Sequence, residues 1–586
     1  MKTEWDIEQL GNPKDFPKQR EVWKNKTEKF INKWKKNKNY LKDPKVLKQA
    51  LDEYEAWATN FGTTPNELYY YWLKSEKYKD DTEIKAKLNK IHEVSMELYN
   101  KTQFFFLDLA KTKNKELFLK DENLKPYKHF LEMLFENAKY LLSEKEEKIL
   151  NLKSQTSHSF WVEMVEKFLS KEERTVNKEN KTYQELLSLM GDKDKKTRDQ
   201  AAKAFNDITD KNVDMAESEI NAVLTNKKIN DKLRNVERPD KMRHLSDDID
   251  TEVVDALITA VEDNYQVSRE YYKLKAKLLK QKKLEYHERT IEYGNLTKKY
   301  TYEESIKLVK KVFEKLDKRF KDILDVYLKN GQIDSHPQKN KHGGGFCVHM
   351  LKTQPTFILL NHTNKLNDVL TIAHEMGHGI NNELMKEKQN SLNFGTPSST
   401  AEVASIFMED FVLQELLSEA DDELKLIILM QRLDSSISSI MRQIAGYQFE
   451  QELHKTFREK GYLSKKEIGT IFQKHMKNYM GDSIIQSKGS ENYWIHWMHI
   501  RMFFYVYSYS SGLLISKAMQ KMVKQDPKNI EKVKEFLGAG TSDSPKNIFK
   551  KLGIDITKKE FWEQGIQEVK DLLQETQTLA KKLGKI

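Results

Sequence analysis

Apolar residues along this chain recur mostly with the rhythm of a helix. Trp23, Phe30, Ile31 and Trp34 share one helical face in an early amphipathic segment, and Pro13, Pro17, Pro44 and Pro65 punctuate a series of such segments. Of the 11 prolines, none lies between Pro126 and Pro239 or between Pro397 and Pro527, which leaves long stretches free for helices. The texture changes between Gln332 and His362. There Pro337, Gly343 to Gly345 and Pro355 bound two short runs, Phe346 to Leu351 and Thr356 to Leu360, that predict a hairpin. The pattern as a whole predicts a mainly α fold with one small β element.

After that hairpin, Leu366 to Ala373 is apolar at helical spacing, contains neither Gly nor Pro, and has Thr363 or Asn364 placed to cap its start. It leads into His374-Glu375-Met376-Gly377-His378. Two histidines four apart on a helix project from one face a turn apart, so both imidazoles can reach one Zn²⁺. Glu375 then stands beside the metal's open position, where a carboxylate accepts a proton from activated water. Catalytic zinc wants a third protein ligand. Thr400 to Glu409 predicts a second buried helix, small and apolar except for Glu402 and Glu409, which lie two turns apart on one side. A buried carboxylate demands a partner. Zinc would be that partner for Glu402, while Glu409 would accept the remaining N–H of a ligating histidine and fix its tautomer. Solvated charges on a half-exposed helix face are the other reading of these two glutamates.

Thr371 to His378, followed by Ala401-Glu402-Val403-Ala404-Ser405 and Glu409, closely resembles the M3 family of zinc oligopeptidases, specifically its oligoendopeptidase F branch. Weaker matches extend the resemblance over roughly 190 to 515, through Asp192 to Ala204, Tyr271 to Leu279, Gly343 to Asn361, and His499 to Gly512. The resemblance implies two helical lobes around a deep substrate channel, an N-terminal helical domain over 1–190 and a catalytic domain over 191–586. It also implies internal cleavage of short unstructured peptides with one zinc per chain, held by His374, His378 and Glu402, and with Glu375 as general base. Two departures stand out. Many family members carry a histidine where this chain has Asn381, a position that is not a ligand, and a tyrosine where it has Arg501, which bears on substrate preference.

Peptide hydrolysis develops negative charge on the scissile carbonyl oxygen, and neutral donors preorganised near it lower the barrier. The segment from His499 through Tyr505, Tyr507 and Tyr509 offers such donors. The resemblance singles out His499 and Tyr507 as catalytic, with Tyr505 and Tyr509 as substrate contacts; an aromatic core stripe is the alternative for any one ring. Gly343-Gly344-Gly345 lacks the Gly-Lys-Ser/Thr ending of a phosphate loop. Glycines at a strand edge let a ligand backbone approach, so these three are candidate substrate contacts, or else a plain turn.

Composition limits the remaining classes. A single cysteine, Cys347, excludes an intrachain disulfide and a cysteine-rich metal site, and fits a reducing, cytoplasmic compartment. The net charge of +10 comes from 100 basic and 90 acidic residues interspersed throughout, which predicts solvated helix faces and no nucleic-acid groove. No segment has the apolar length of a membrane span, and Met1 to Asp6 leads into no apolar signal region. Two rival functions stay open: a zinc carboxypeptidase, and a non-catalytic peptide-binding protein with a structural zinc. Glu375 speaks against the second, since a structural site has no use for a base at an open coordination position.

Overall fold

Helices carry the fold in the computed structural model, which describes residues 1–295 and 298–586. The chain forms two compact units, each assembled from three stretches: Met1–Lys139, Thr297–Ser418 and Met519–Gly553 in the first, and Tyr140–Leu296, Glu419–Ala518 and Ile554–Ile586 in the second. The boundary expected near residue 190 falls inside the second unit's first stretch. Among the described residues, no helix is long and apolar enough to cross a membrane.

In the first unit, the amphipathic face read from Trp23, Phe30, Ile31 and Trp34 is the buried face of the helix Phe16–Lys36. Its Phe30 and Trp34 join Tyr54, Trp57 and Phe105 from the helices Pro44–Asn60 and Thr82–Ala110 in an aromatic core. A second core runs from Trp5, Phe16, Tyr69 and Tyr70 onto Phe357 and Leu359 of a small sheet. The Trp5 indole also donates to the Ile358 carbonyl at 2.8 Å, and the Tyr69 hydroxyl to that of Val348 at 2.9 Å. Residues from the start of the chain thus brace the strands just ahead of the motif helix.

That sheet contains the predicted hairpin, shorter than its apolar runs: Phe346–Val348 pairs antiparallel with Phe357–Leu359, Cys347 opposite Ile358. Ile333–Asp334 adds a parallel third strand on the far side of Phe357–Leu359, so Phe346–Val348 and Ile333–Asp334 are the two outer strands. The motif helix, Leu366–Lys388, follows at once. Neither Thr363 nor Asn364 caps it. Asp368, inside the first turn, reaches back to accept from the backbone N–H of Thr363 at 2.6 Å and of Lys365 at 2.9 Å, so the orphan donors find a carboxylate from within the helix.

The second unit is built on the 39-residue helix Lys195–Leu233, with Asp422–Ile437, Gln443–Lys460 and Lys465–Met480 among its other long helices. It also holds an antiparallel hairpin, Glu173–Val176 with Glu179–Thr182, that the hydrophobic pattern does not announce because these strands are largely polar. Asn177 and Lys178 make its turn with φ of 51° and 69°, the left-handed pair of a tight hairpin.

Candidate active site

His374 and His378 project from one side of the helix Leu366–Lys388, with ring centroids 5.2 Å apart. Ile372, Ala373, Met376 and Ile380 are buried around them, each large apolar side chain contributing about 1.5–3 kcal/mol to holding the helix in place. Glycine at 377 sets the distance to the next helix. A Cβ there would stand 2.6 Å from both the Ala404 carbonyl oxygen and the Ser405 Cα, so only glycine lets the two backbones approach this closely.

The second helix begins later than the pattern predicts. Ser398–Thr400 is a 3₁₀ turn and the α-helix runs Val403–Ser418, which leaves Glu402 just ahead of its first residue. Both glutamates nonetheless converge on one imidazole. Glu402 Oε2 lies 3.4 Å from His374 Nε2 and 3.6 Å from His378 Nε2, while Glu409 Oε2 lies 3.1 Å from His374 Nδ1. Ser405, three residues on, donates to Glu402 Oε2 at 2.7 Å and holds the carboxylate in line.

These distances test the metal. Donors bound about 2.0–2.1 Å from a tetrahedral zinc are separated from one another by about 3.3–3.4 Å. The Glu402 oxygen meets that spacing to both histidines within a few tenths of an ångström, and one donor atom from each of the three residues lies within 4.8 Å of the others. The residues fit a zinc ion. Asp199, His287 and Glu288 form another such group, but Arg198 at 2.8 Å and Lys195 at 3.3 Å already answer Glu288.

Charge in the pocket is divided unevenly. Burial opposes the charged form of His374, yet its hydrogen bonds to Glu402 and Glu409 outweigh this and raise its pKa to about 10. Burial dominates at His378 and lowers it to about 4. At Glu402 the two imidazoles and Ser405 overcome burial and bring the carboxyl to about 2. Burial lifts Glu375 to about 7, with the Glu402 charge adding to the rise and His374 opposing it. A carboxyl poised there can take and return a proton near neutral pH.

Gly345, at the head of the outer strand Phe346–Val348, is seated against that carboxyl: a Cβ on it would come within 3.2 Å of Glu375 Oε1 and 3.0 Å of Thr371 Cγ2. Gly343, Gly344 and Gly345 are exposed, and the Asn361 side chain secures their loop through the carbonyls of His342 and Gly344 at 2.9 and 2.7 Å. Asn361 and Ser405 are site residues that sequence reasoning did not single out. The signal for Ser405 was its place three residues after a helix-start carboxylate. Asn381 donates to the Leu537 carbonyl at 2.6 Å and so pins a neighbouring helix. Burial holds the Cys347 thiol far from ionisation, consistent with a packing role.

The His499 to Tyr509 segment belongs to the second unit. The 3₁₀ turn Met498–Met502 is joined to the helix Tyr507–Gln525 through Phe503 and Phe504, both left-handed, with φ of 51° and 56°. Bulky residues avoid that region. Surrounding groups impose it here: buried Glu450 accepts from the Phe504 N–H at 2.7 Å, and Arg243 donates to the carbonyls of Met502 and Phe503 at 2.6 and 3.1 Å. The reversal stacks His499 on Tyr505, with centroids 5.8 Å apart and planes at 10°, and sets His499 Nε2 at 3.1 Å from the Tyr509 hydroxyl. Burial, helped by the Arg442 charge, lowers the His499 pKa and keeps the ring a neutral donor. Tyr507 is situated differently. Its ring is fully buried and its hydroxyl donates to Asp247 at 2.8 Å. Arg501 is buried too: its Nε and Nη2 donate to Glu219 at 3.1 and 2.7 Å and its Nη1 to the Trp494 carbonyl at 2.9 Å, so it serves an internal ion pair.

Comparison with known proteins extends this reading to the whole chain. Residues 188–568 match peptidase family M3, and residues 106–171 match the N-terminal region described as oligopeptidase F. The oligoendopeptidase F homolog of Borreliella burgdorferi is 26% identical with 97% of each chain covered, and the oligopeptidase PepF of Bacillus subtilis is 25% identical over 81% of this chain and 72% of its own. Among solved structures, a putative peptidase from Chlamydophila abortus superposes with a TM-score of 0.87 at 21% identity, covering 98% of both chains. Oligoendopeptidase-F from Enterococcus faecium gives 0.69 at 18% identity, covering 97% of this chain and 99% of that one. With His374, His378 and Glu402 brought within reach of one another and a family match over most of its length, the chain belongs to peptidase family M3, in the oligoendopeptidase F branch, and is a metalloendopeptidase of oligopeptides.

Proposed function

We propose that the chain binds one zinc ion through His374, His378 and Glu402 and uses it to cleave internal bonds of short, unstructured peptides in the cytoplasm. The observation that carries this is the Glu402 oxygen at 3.4 and 3.6 Å from the two imidazoles with the Glu375 carboxyl beside them. Zinc, when bound, supplies Lewis acidity toward water and the scissile carbonyl. Glu375 takes the proton of the attacking water at its carboxylate and delivers it to the leaving amide nitrogen. Glu409 holds the His374 tautomer through Nδ1, which leaves Nε2 for the metal. Substrate backbone pairs with the outer strand Phe346–Val348, from Gly343, Gly344 and Gly345 onward, a sheet edge that an extended chain can join.

His499 and Tyr509 are the donors proposed for the carbonyl oxygen, because both residues are partly exposed whereas Tyr507 is buried; Tyr505 stacks beneath His499 and contacts substrate. Tyr507 supports them by bracing Asp247. We retain the division at 1–190 and 191–586 as one of sequence segments, supported by the family matches over 106–171 and 188–568. The test is a mixed peptide library followed by mass spectrometry of the products, with and without a chelator. Internal cuts that need metal are expected. Release of single C-terminal residues would favour a carboxypeptidase, and no cleavage would favour a peptide-binding protein.

A further inference from the structure

In the second unit, buried cations such as Arg501, Arg198 and Lys275 are answered by a carboxylate: Glu219, Glu288 and, at 2.9 Å, Asp434. Arg289 and Arg442 are exceptions. Arg289 is only 8% exposed, donates from one arm to its own turn at the Tyr286 carbonyl (2.9 Å), and has no partner for Nε. Arg442 closes a π-helical turn, Ser438–Arg442, and its Nε is likewise buried without a partner. Among the described residues, neither has a carboxylate within ion-pair distance. A buried guanidinium left alone is costly, so a charge of this kind points to an anion that arrives from outside.

The surroundings are built for one. Arg442 stacks 4.0 Å from the centroid of Trp497, and Arg289 stacks 4.3 Å from Tyr286 and 5.4 Å from Tyr493. Tyr493 and Trp497 are four residues apart on one connection, so a single stretch of chain lies under both guanidiniums. Further buried polar atoms lack partners: the hydroxyl of Tyr286, which follows the strand Leu284–Glu285, and the side-chain amide of Gln486, which follows Ile484–Ile485 paired with it. Beside two guanidiniums without a carboxylate, the Tyr286 hydroxyl and Gln486 Nε2 are donors that an anion would satisfy. Arg442 and Gln443 keep part of their surface exposed, and Trp497 is two residues from His499. Arg289 adds to the burial that presses on the Arg442 charge, which an incoming anion would relieve.

We propose that Arg442 and Arg289 form a receptor for a carboxylate of the peptide substrate, either its C-terminal carboxylate or an acidic side chain. Planar guanidinium forks match a carboxylate bidentately, and the ring stacking holds them in place without neutralising them. The inference rests on the reading that the His499 to Tyr509 segment faces substrate.

The test compares matched peptides in two series, free acid against C-terminal amide and Asp or Glu against Asn or Gln at single positions, with wild type, Arg442→Gln and Arg289→Gln. Wild type should favour the carboxylate form of one series by about tenfold or more in kcat/KM, the size of a charge-assisted contact, and the ratio should fall toward one in both variants through KM. The series that shows the preference identifies the source of the carboxylate. The same preference should appear as a ratio of Kd values in a Glu375→Gln background, where turnover plays no part, so loss of the carboxylate preference and failure of the metallopeptidase reading are separate results. Arg442→Met should keep or raise the Tm, since it removes an unpaired charge, and Arg442→Lys should restore part of the preference. A wild-type ratio of one, a ratio unchanged in the variants, or an equal loss on both peptide forms with a lowered Tm would overturn the proposal. So would activation by chloride with both peptide forms that Arg442→Gln abolishes, which would assign the pocket to an inorganic anion.

Discussion

The two regions that bring functional groups together are constructed in opposite ways. Around the histidine pair, local helix geometry does most of the positioning: His374 and His378 are one turn apart, Glu402 and Glu409 sit on a single short run, and Gly377 lets the two backbones approach closely. Around His499, local geometry works against the arrangement. Two consecutive phenylalanines are held at positive φ, and Glu450, Arg243 and Asp247, distant in sequence, supply the hydrogen bonds that keep the turn and its tyrosines in place. A site built from local periodicity tolerates changes elsewhere, whereas one built from distant buried polar groups ties its geometry to the stability of the unit around it.

The largest effect expected is at the locally built site. Glu402→Ala should weaken metal binding by more than the roughly 10–100-fold typical of an outer carboxylate and abolish turnover at ordinary zinc levels, with little change in Tm of the metal-free protein. Metal titration followed by activity assays checks this; full metal content in the variant would remove Glu402 from the ligand set. Next comes a pair in the other region. Tyr509→Phe should lower kcat by roughly 10²-fold, as for a lost oxyanion donor. Tyr507→Phe should act mainly on stability, by about 1–3 kcal/mol, because it removes the donor to the buried Asp247 Oδ2 and leaves Arg243 and Ser246 on Oδ1 alone. The reverse pattern, kcat lost at Tyr507 and kept at Tyr509, would return the donor role to the residue the family resemblance favours.

How legible each region was follows from the same contrast. The histidine spacing, the separation of the glutamates and the hairpin before them are short-range patterns, so the convergence of His374, His378, Glu402 and Glu409 could be read from residues alone. The cap of the motif helix was misplaced because Asp368, a carboxylate inside the first turn, competes with the residues ahead of it, and the second helix begins at Val403 because a 3₁₀ turn occupies Ser398–Thr400. The polar hairpin Glu173–Thr182 has too little apolar alternation to be seen, and only Asn177 hints at its turn. Nothing in Phe503-Phe504 signals left-handed backbone, because packing and Glu450 impose it; for the same reason the commitment of Tyr507 to Asp247 and of Arg501 to Glu219 could not be read in advance.

Smaller effects sharpen the comparison. Glu409→Gln keeps an acceptor for His374 Nδ1 but removes its charge, so zinc affinity should fall by roughly 10-fold, at the low end for an outer partner; an affinity equal to wild type would make the contact incidental. Glu450 tests the turn. Burial raises its carboxyl from 4.5 to about 8. Between those values the folded state holds a proton that the unfolded state has released, so this group makes stability fall as pH rises through the window. Glu450→Gln preserves an acceptor for the Phe504 N–H and removes the titration. It should raise Tm at pH 8.5 by about a few degrees and change it little at pH 5, measured by calorimetry, whereas an equal shift at both pH values would contradict the assignment.

The central claim, that His374, His378 and Glu402 hold the metal while Glu375 moves the proton, is tested most directly by Glu375→Gln. Metal content and kcat should be measured on the same purified protein with one internally cleaved peptide. The account predicts one zinc per chain, as in wild type, with kcat lowered by about 10³-fold or more, toward the upper range for loss of a general base. Wild-type-like turnover in a fully metallated variant would contradict it.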